Sequence, residues 1–228
     1  MASFAEIEAA AVHLLGSREA LAARLVKPEP PESLAMIGDD RYLSVMCRRI
    51  FRAGLTHRLV DARWPAFEIA FADFDPATVA ALTDDELKRL ATDESLIRHK
   101  KKIAAVRSNA QAIGALIEEF GAFGVWLADW EDDEIIDLWL ELKQRFVQLG
   151  GQSGPRFLRM IGKDTFLLTD WVAQAMTYWG VADGKLHTKA GVRAAQARFN
   201  DWQAETGRPM CQLSQILAFS ISKKTGSA

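Results

Sequence analysis

The amino-acid sequence predicts an all-α protein. Alanine and leucine are abundant, and runs of β-branched residues are scarce, which favours helix over strand. Apolar residues recur at helical spacing along most of the chain, whereas the apolar–polar alternation of a half-buried strand is absent from the sequence. We therefore expect about ten helices, and 228 residues are enough for one large domain or two small lobes with an ample core.

The N-terminal residues, 1–26, predict a helix that precedes the main domain. Apolar residues from Phe4 to Leu15 follow helical spacing, and Ser3 with Glu6 has the pattern of a capping box. Residues 27–38 begin with the proline-rich stretch Lys27–Glu32, which is unsuited to helix or sheet. We interpret 27–38 as a linker and 39–228 as the main domain.

Apolar stripes and capping residues predict the helices of the main domain in order. Asp75-Pro76 and the capping box Thr83–Glu86 mark two helix starts, and Pro65 suits the first turn of another helix. The longer predicted helices cover residues 41–53, 61–74, 84–90, 95–116, 132–149, 171–179, 189–204 and 210–222.

The stretch Leu149–Val172 has the most informative composition. Three glycines and a proline between Leu149 and Pro155 break a helical pattern, a short helix follows, and Thr169-Asp170 precedes the next helix. This order predicts a helix, a tight hairpin at about 149–155, a helix, a loop, and a carboxylate at a helix start. The residues alone leave two interpretations open, a helical corner in which Asp170 is only a cap, or a DNA-backbone grip with an acid beside it.

The composition argues against several classes of protein. The formal net charge of −2 gives no global basic signal, so a nucleic-acid partner would require local positive charge. No apolar run reaches membrane-spanning length and no signal peptide is recognisable, so we expect a cytoplasmic protein without membrane contacts. Cys47 and Cys211 are expected to be buried free thiols.

No metal or cofactor is expected. The histidines lack a second histidine or a cysteine at ligand spacing, and the sequence has no phosphate-cradling glycine loop of the nucleotide-binding kinds. The four histidines are His13, His57, His99 and His187.

Positive charge is concentrated in two places. Residues 98–102 with Arg107 form one group, which is equally well explained as a solvated face. Arg156, Arg159 and Lys163 form the other, at i, i+3 and i+7 on one face of the helix after the hairpin. Backbone N–H groups of the adjacent residues can approach a phosphate closely, and we expect Gly151, Ser153 and Gly154 to bind the DNA backbone with these three side chains.

Three blocks make the sequence similar to a known family. They are Met46-Cys47 through Ala53-Gly54-Leu55-Thr56-His57, then Phe74-Asp75-Pro76-Ala77-Thr78-Val79-Ala80-Ala81-Leu82, then Leu96-Ile97-Arg98-His99-Lys100-Lys101-Lys102-Ile103. In this order and spacing they resemble DNA-3-methyladenine glycosylase I. The later stretch is similar to the hairpin and acidic loop of the helix-hairpin-helix DNA glycosylase superfamily. The resemblance implies a two-lobed helical bundle of the DNA glycosylase type.

The resemblance also implies roles for individual residues. Asp170 stands where the superfamily has its catalytic aspartate. Arg49 and His57 stand where the glycosylase I type has a glutamate that reads the flipped base and a tryptophan that stacks on it. The zinc ligands of that type are missing, which agrees with the expectation that no metal is bound. The candidates for the wall of the base pocket are Arg49, His57, Trp64, Trp171 and Tyr178.

The function that the resemblance implies is a monofunctional DNA glycosylase acting as a monomer on double-stranded DNA with a damaged base. It would flip an alkylated purine of the 3-methyladenine or 7-methylguanine type and hydrolyse its N-glycosidic bond. Arg156 follows the hairpin where strand-cutting relatives have a lysine, and arginine cannot serve as that amine. The alternatives are a non-catalytic DNA-binding protein derived from a glycosylase and a helical protein-interaction domain.

Overall fold

The computed structural model describes residues 2–182, 186 and 188–222. Within these residues the fold is all-α, as predicted, with fourteen α-helices, two short 3-10 segments and no strand. The helices are α1 Phe4–Leu15, α2 Arg18–Ala22, α3 Pro31–Ala35, α4 Asp39–Arg52, α5 His57–Ala70, α6 Pro76–Ala80, α7 Asp84–Leu90, α8 Lys100–Phe120, α9 Phe123–Ala128, α10 Ile135–Arg145, α11 Ser153–Ile161, α12 Asp170–Tyr178, α13 Lys189–Thr206 and α14 Met210–Phe219.

Two helix starts differ from the prediction by four residues or more. The helix α5 begins at His57 rather than at residue 61, so Pro65 lies inside it rather than in its first turn. Burial of Val60, Trp64 and Phe67 on one face stabilises α5 despite the proline. The helix α8 begins at Lys100 rather than at residue 95, because His99 is its N-cap and accepts a hydrogen bond from the Lys102 N–H at 3.3 Å.

The chain divides into two compact units. The first comprises the described residues of Met1–Pro28, Glu131–Asp137 and Asp164–Ala228, and the second comprises Glu29–Trp130 and Leu138–Lys163. None of the helices in the described ranges is long and apolar enough to cross a membrane.

The core of the first unit is built from α1, α13 and α14. The ring of Phe4 lies 5.2 Å from that of Trp202, and Phe166 stacks on Phe199 at 4.3 Å. The buried carboxylate of Asp164 accepts the N–H groups of Met210 and Cys211, each at 2.8 Å. Asp164 thus satisfies the first N–H groups of α14, which Pro209 as N-cap leaves without a side-chain acceptor.

The second unit has an aromatic core between α4 and α5. Trp64 stacks on Phe67 and on Phe74, with ring centroids 4.9 and 5.5 Å apart, and Phe51 meets Phe67 edge-on at 4.6 Å. These fully or almost fully buried rings fix α5 against α4. The helices α8 and α11 also pack on α4, which places the segment after the hairpin beside this core.

The stretch that we interpreted as a linker contains α3, whose first residue is Pro31. Proline is tolerated there because the first turn of a helix needs no intrahelical N–H donor. Tyr42 donates its hydroxyl to the Leu34 carbonyl at 2.6 Å. A Cβ at Gly124 would lie 2.7 Å from the same oxygen, so glycine is required for the close packing of α9 on α3.

Candidate active site

Asp170 is the first residue of α12 in the first unit, and its side chain is exposed. The N-cap of α12 is Thr169, whose hydroxyl accepts the Val172 N–H at 3.3 Å. Asp170 is therefore not the N-cap of α12. No hydrogen bond or ion pair with another described residue occupies the Asp170 carboxylate, so it is open to a ligand at the positive end of a helix dipole.

Two aromatic side chains on α12 are exposed, Trp171 next to Asp170 and Tyr178 at the other end of the helix. Trp171 is 38% exposed and Tyr178 is 56% exposed, and they lie two helical turns apart on the same face. The Tyr178 ring meets Trp179 edge-on at 5.1 Å, and Trp179 donates its indole N–H to Ser220 at 2.8 Å. Exposed rings of this kind can stack on a base without disturbing the core.

The predicted hairpin is a tight turn between α10 and α11 in the second unit. The Gly154 N–H donates to the Leu149 carbonyl at 3.0 Å, and a Cβ at Gly154 would lie 2.9 Å from that oxygen. Gly151 has a φ of +58°, is exposed and faces open space. The Ser153 N–H donates to Gly150 at 3.2 Å. The N–H groups of Gly154 and Ser153 thus close the turn, while Gly151 faces solvent.

The three basic residues after the hairpin differ in their surroundings. Arg156 and Arg159 are partly exposed on α11. Lys163 follows the left-handed C-cap Gly162 and is only 5% exposed, because its ammonium donates to the Trp130 carbonyl within the same unit. Of the three basic side chains predicted to bind the DNA backbone, two are therefore partly exposed and the third is buried.

A cluster of four basic side chains lies in the second unit around the C-terminal end of α4, and we call it the cationic cluster. Its members come from three helices, α4, α8 and α11. Sequence reasoning placed three of them in separate groups and did not single out Arg52. The four members are Arg49, Arg52, Lys102 and Arg156.

Two members of the cationic cluster have partners. Lys102 is buried and donates to the Ala53 carbonyl at 2.6 Å and to the Phe51 carbonyl at 3.3 Å. Arg52 binds both oxygens of Asp61 through Nη2, at 2.6 and 2.7 Å. Lys102 therefore satisfies the last carbonyls of α4, and Asp61 compensates Arg52.

Arg49 is buried, and neither its Nε nor that of Arg156 has a hydrogen-bond partner among the described residues. Burial lowers the pKa of Arg49, and the charges of Arg156 and Arg52 lower it further. Burial likewise lowers the pKa of Lys102, with a contribution from Arg49. The packing of α8 and α11 on α4 places these positive charges in the same part of the second unit.

His57 and Trp64, the other pocket candidates in the second unit, occupy different environments. His57 is exposed as the first residue of α5. Trp64 is 5% exposed within the aromatic core, and its indole N–H lies 3.0 Å from both Ser44 Oγ and Glu68 Oε1. His57 is accessible to a ligand, whereas Trp64 contributes to the core. Trp171 and Tyr178 belong to the first unit.

The described residues contain no group of three or more histidine, cysteine, aspartate or glutamate side chains placed to hold a metal ion. His187 lies outside the described residues. Cys47 and Cys211 are buried free thiols, as predicted, and burial raises the pKa of the Cys47 thiol above its usual range.

Comparison with known sequences finds similarity to methyladenine glycosylases. The model of the methyladenine glycosylase family matches residues 34–149. DNA-3-methyladenine glycosylase 1 of Escherichia coli (strain K12) is 33% identical over 72 residues, which are 32% of this chain. That aligned stretch spans 38% of the relative's length.

Solved structures share the fold. A single-residue variant of 3-methyladenine DNA glycosylase I in complex with 3-methyladenine has a TM-score of 0.52 at 24% identity, covering 66% of this chain and 88% of that chain. The 3-methyladenine DNA glycosylase I of Staphylococcus aureus has a TM-score of 0.52 at 25% identity, covering 64% and 85%. These similarities support the all-α architecture described above.

Proposed function

Because this chain belongs to the methyladenine glycosylase family, we propose that it is a monofunctional DNA glycosylase that removes a modified purine from double-stranded DNA. The family match over residues 34–149 is the observation that carries the proposal. The named relatives act on 3-methyladenine by their own descriptions, and purines alkylated on N3 or N7 are the proposed substrate class.

The chemistry begins with extrusion of the damaged nucleotide from the duplex, which costs a few kcal/mol. Contacts with the DNA backbone offset this cost. We assign these contacts to the exposed Gly151, to the side-chain hydroxyl of Ser153 at the start of α11, and to Arg156 and Arg159 on the same helix. The N–H of Gly154 closes the turn and shapes the hairpin rather than binding phosphate.

Asp170 is the proposed catalytic residue. Cleavage of a glycosidic bond passes through an oxocarbenium-like sugar, whose positive charge a nearby carboxylate stabilises. The same carboxylate can orient a water molecule and accept its proton as the water attacks the anomeric carbon. The exposed carboxylate of Asp170 suits this task because no described residue pairs with it.

Hydrolysis, rather than strand cleavage, follows from the residue after the hairpin. Strand-cutting enzymes of this kind form a Schiff base through a neutral lysine amine. The residue here is Arg156, and an arginine cannot supply that amine. The product is therefore an intact strand with an abasic site and a free base.

The experiment that tests the function is a base-release assay. Duplex DNA containing 3-methyladenine, 7-methylguanine, hypoxanthine or ethenoadenine is incubated with the full chain, and free base and abasic sites are quantified. We expect release of at least one alkylated purine, with strands breaking only after alkali treatment. Binding to the duplexes without release of any base would contradict the proposal and support the non-catalytic alternative.

A further inference from the structure

Within the second unit, Arg49 is an unusual side chain for a protein interior. It is 8% exposed, and its Nε has no hydrogen-bond partner among the described residues. The Nε of Arg156 on α11 is also buried and also lacks a hydrogen-bond partner among the described residues. The two guanidinium groups, carried by the helices α4 and α11 that pack on each other, are therefore buried in part or in full, and each has an Nε without an acceptor.

The carboxylates of the second unit do not compensate these two charges. Asp61 accepts hydrogen bonds from Arg52 and from Arg48, the latter at 2.9 Å. Lys102 adds another positive charge to the cluster, and its hydrogen bonds go to neutral carbonyl groups. Arg49 and Arg156 form no ion pair with a carboxylate among the described residues. The cluster therefore carries more positive charge than its single carboxylate neutralises.

Burial of an unpaired charge is costly because the group loses its hydration without gaining a counter-charge. An aliphatic side chain at position 49 would avoid this cost, so the arginine is explained by a ligand that supplies the missing charge. A cationic alkylated base would be repelled there, and a neutral base would leave the charge uncompensated. A phosphate group supplies both the negative charge and the acceptor oxygens that two guanidinium forks match.

We propose that Arg49 and Arg156 together bind a phosphate group, either a phosphodiester of DNA or a free phosphate ion. This assignment removes Arg49 from the wall that reads the base and makes it an anion ligand in the second unit. The proposal rests on the buried, unpaired guanidinium groups, and its tests do not measure base release. It can therefore fail or succeed independently of the proposed function.

The first test is thermal unfolding of the full chain in inorganic phosphate and in chloride at matched ionic strength. Phosphate in large excess over its dissociation constant should raise the Tm by about 5 °C. The substitutions Arg49→Met and Arg156→Met should abolish this rise. The matched control Arg89→Met should retain it, because Arg89 is exposed and only loosely paired with Glu86, at 3.9 Å.

The two variants also keep the test decisive if one of them folds poorly. In chloride, Arg49→Met should be at least as stable as the native protein, since it removes an uncompensated buried charge. Arg156 is partly exposed, so its replacement leaves the core intact. A phosphate-induced rise that persists in both variants would overturn the proposal.

The second test distinguishes the source of the phosphate. The affinity for an undamaged duplex is measured over a range of salt concentrations for the native protein and for Arg49→Met. A DNA phosphodiester at this site predicts that the slope of log K against log salt falls by about 0.9 in the variant. If the slope is the same in both proteins while phosphate raises the Tm of the native protein alone, the site binds a free phosphate ion. If phosphate does not raise the Tm of the native protein and the two slopes are equal, the site is refuted.

Discussion

Asp61 holds the guanidinium of Arg52 through three hydrogen bonds, two from Nη2 at 2.6 and 2.7 Å and one from Nε at 3.0 Å. Arg48 donates to the same carboxylate at 2.9 Å. Although burial acts to raise it, the pKa of Asp61 is held below its usual value by the hydrogen bonds from Arg52 and Arg48. This carboxylate links α5 to the C-terminal turn of α4.

We therefore expect Asp61→Asn to destabilise the protein at neutral pH by about 1 kcal/mol, a modest value because the side chains of this pair are partly exposed to solvent. A lowered folded-state pKa means that the contribution is present above the unfolded pKa of about 3.9 and is lost as the pH falls through the folded value. Urea unfolding of both proteins between pH 2.5 and pH 7 measures it. A stability difference that does not shrink in acid would contradict the assignment.

Replacing Asn109 should destabilise the protein more than replacing Asp61. Its side chain is fully buried, accepts the Val147 N–H at 2.7 Å and donates to the Val147 carbonyl at 3.2 Å. Asn109→Ala should cost about 1–3 kcal/mol, because the N–H and the carbonyl of Val147 then lose their side-chain partner. Gln111→Ala is the control, because Gln111 lies exposed on the same helix and donates only to the Ala80 carbonyl at 3.3 Å, so its loss should cost less than about 0.5 kcal/mol. Equal loss in the two variants in urea unfolding would contradict this role of Asn109.

Replacing Gly154, even by alanine, should destabilise the protein. An added Cβ would lie 2.9 Å from the Leu149 carbonyl oxygen, so Gly154→Ala must displace the turn and should cost about 1–3 kcal/mol. Gly114, in the middle of α8, has open space around its Cα and is the control. Gly114→Ala should instead stabilise by up to about 1 kcal/mol. Changes in the free energy of unfolding that have the same sign in both variants would contradict the packing argument.

Trp171 should affect DNA binding without affecting stability. Removing an exposed ring that stacks on a base costs about 1–3 kcal/mol of binding, which is about tenfold or more in affinity for damaged duplex. Trp171→Ala should therefore weaken binding and leave the Tm within about 1 °C of the native value. Trp202→Ala is the contrast, because that ring is fully buried and its loss should cost about 3–5 kcal/mol of stability. Unchanged affinity of Trp171→Ala would exclude Trp171 from the base contact.

The features that the sequence predicts well are local. The capping boxes of Ser3 with Glu6 and Thr83 with Glu86 are both confirmed by their hydrogen bonds, because all the participating groups lie within one turn. The all-α class follows from spacing that every helix carries in itself. The glycine turn before α11 was predictable for the same reason, since its residues interact with near neighbours in the chain.

The features that the sequence does not predict depend on distant residues. Asp164 satisfies the start of α14 from 46 positions away, and no local pattern marks it. The cationic cluster brings together Arg49, Lys102 and Arg156, which belong to three separate helices. Sequence reasoning assigned Arg49 to the base pocket and Lys102 to the basic group 98–102. It did not connect them, because their proximity arises only from the packing of α8 and α11 on α4.

Replacing Asp170 is the most direct test of the proposed mechanism. In single-turnover assays with an alkylated duplex at saturating enzyme, Asp170→Asn should release the base at least about 100-fold more slowly than the native protein. It should bind the duplex with unchanged affinity and unfold at an unchanged Tm. The control Asp201→Asn, at an exposed carboxylate of α13 that meets Arg198 at 3.5 Å, should keep the native rate. Release by Asp170→Asn at the native rate would contradict the account.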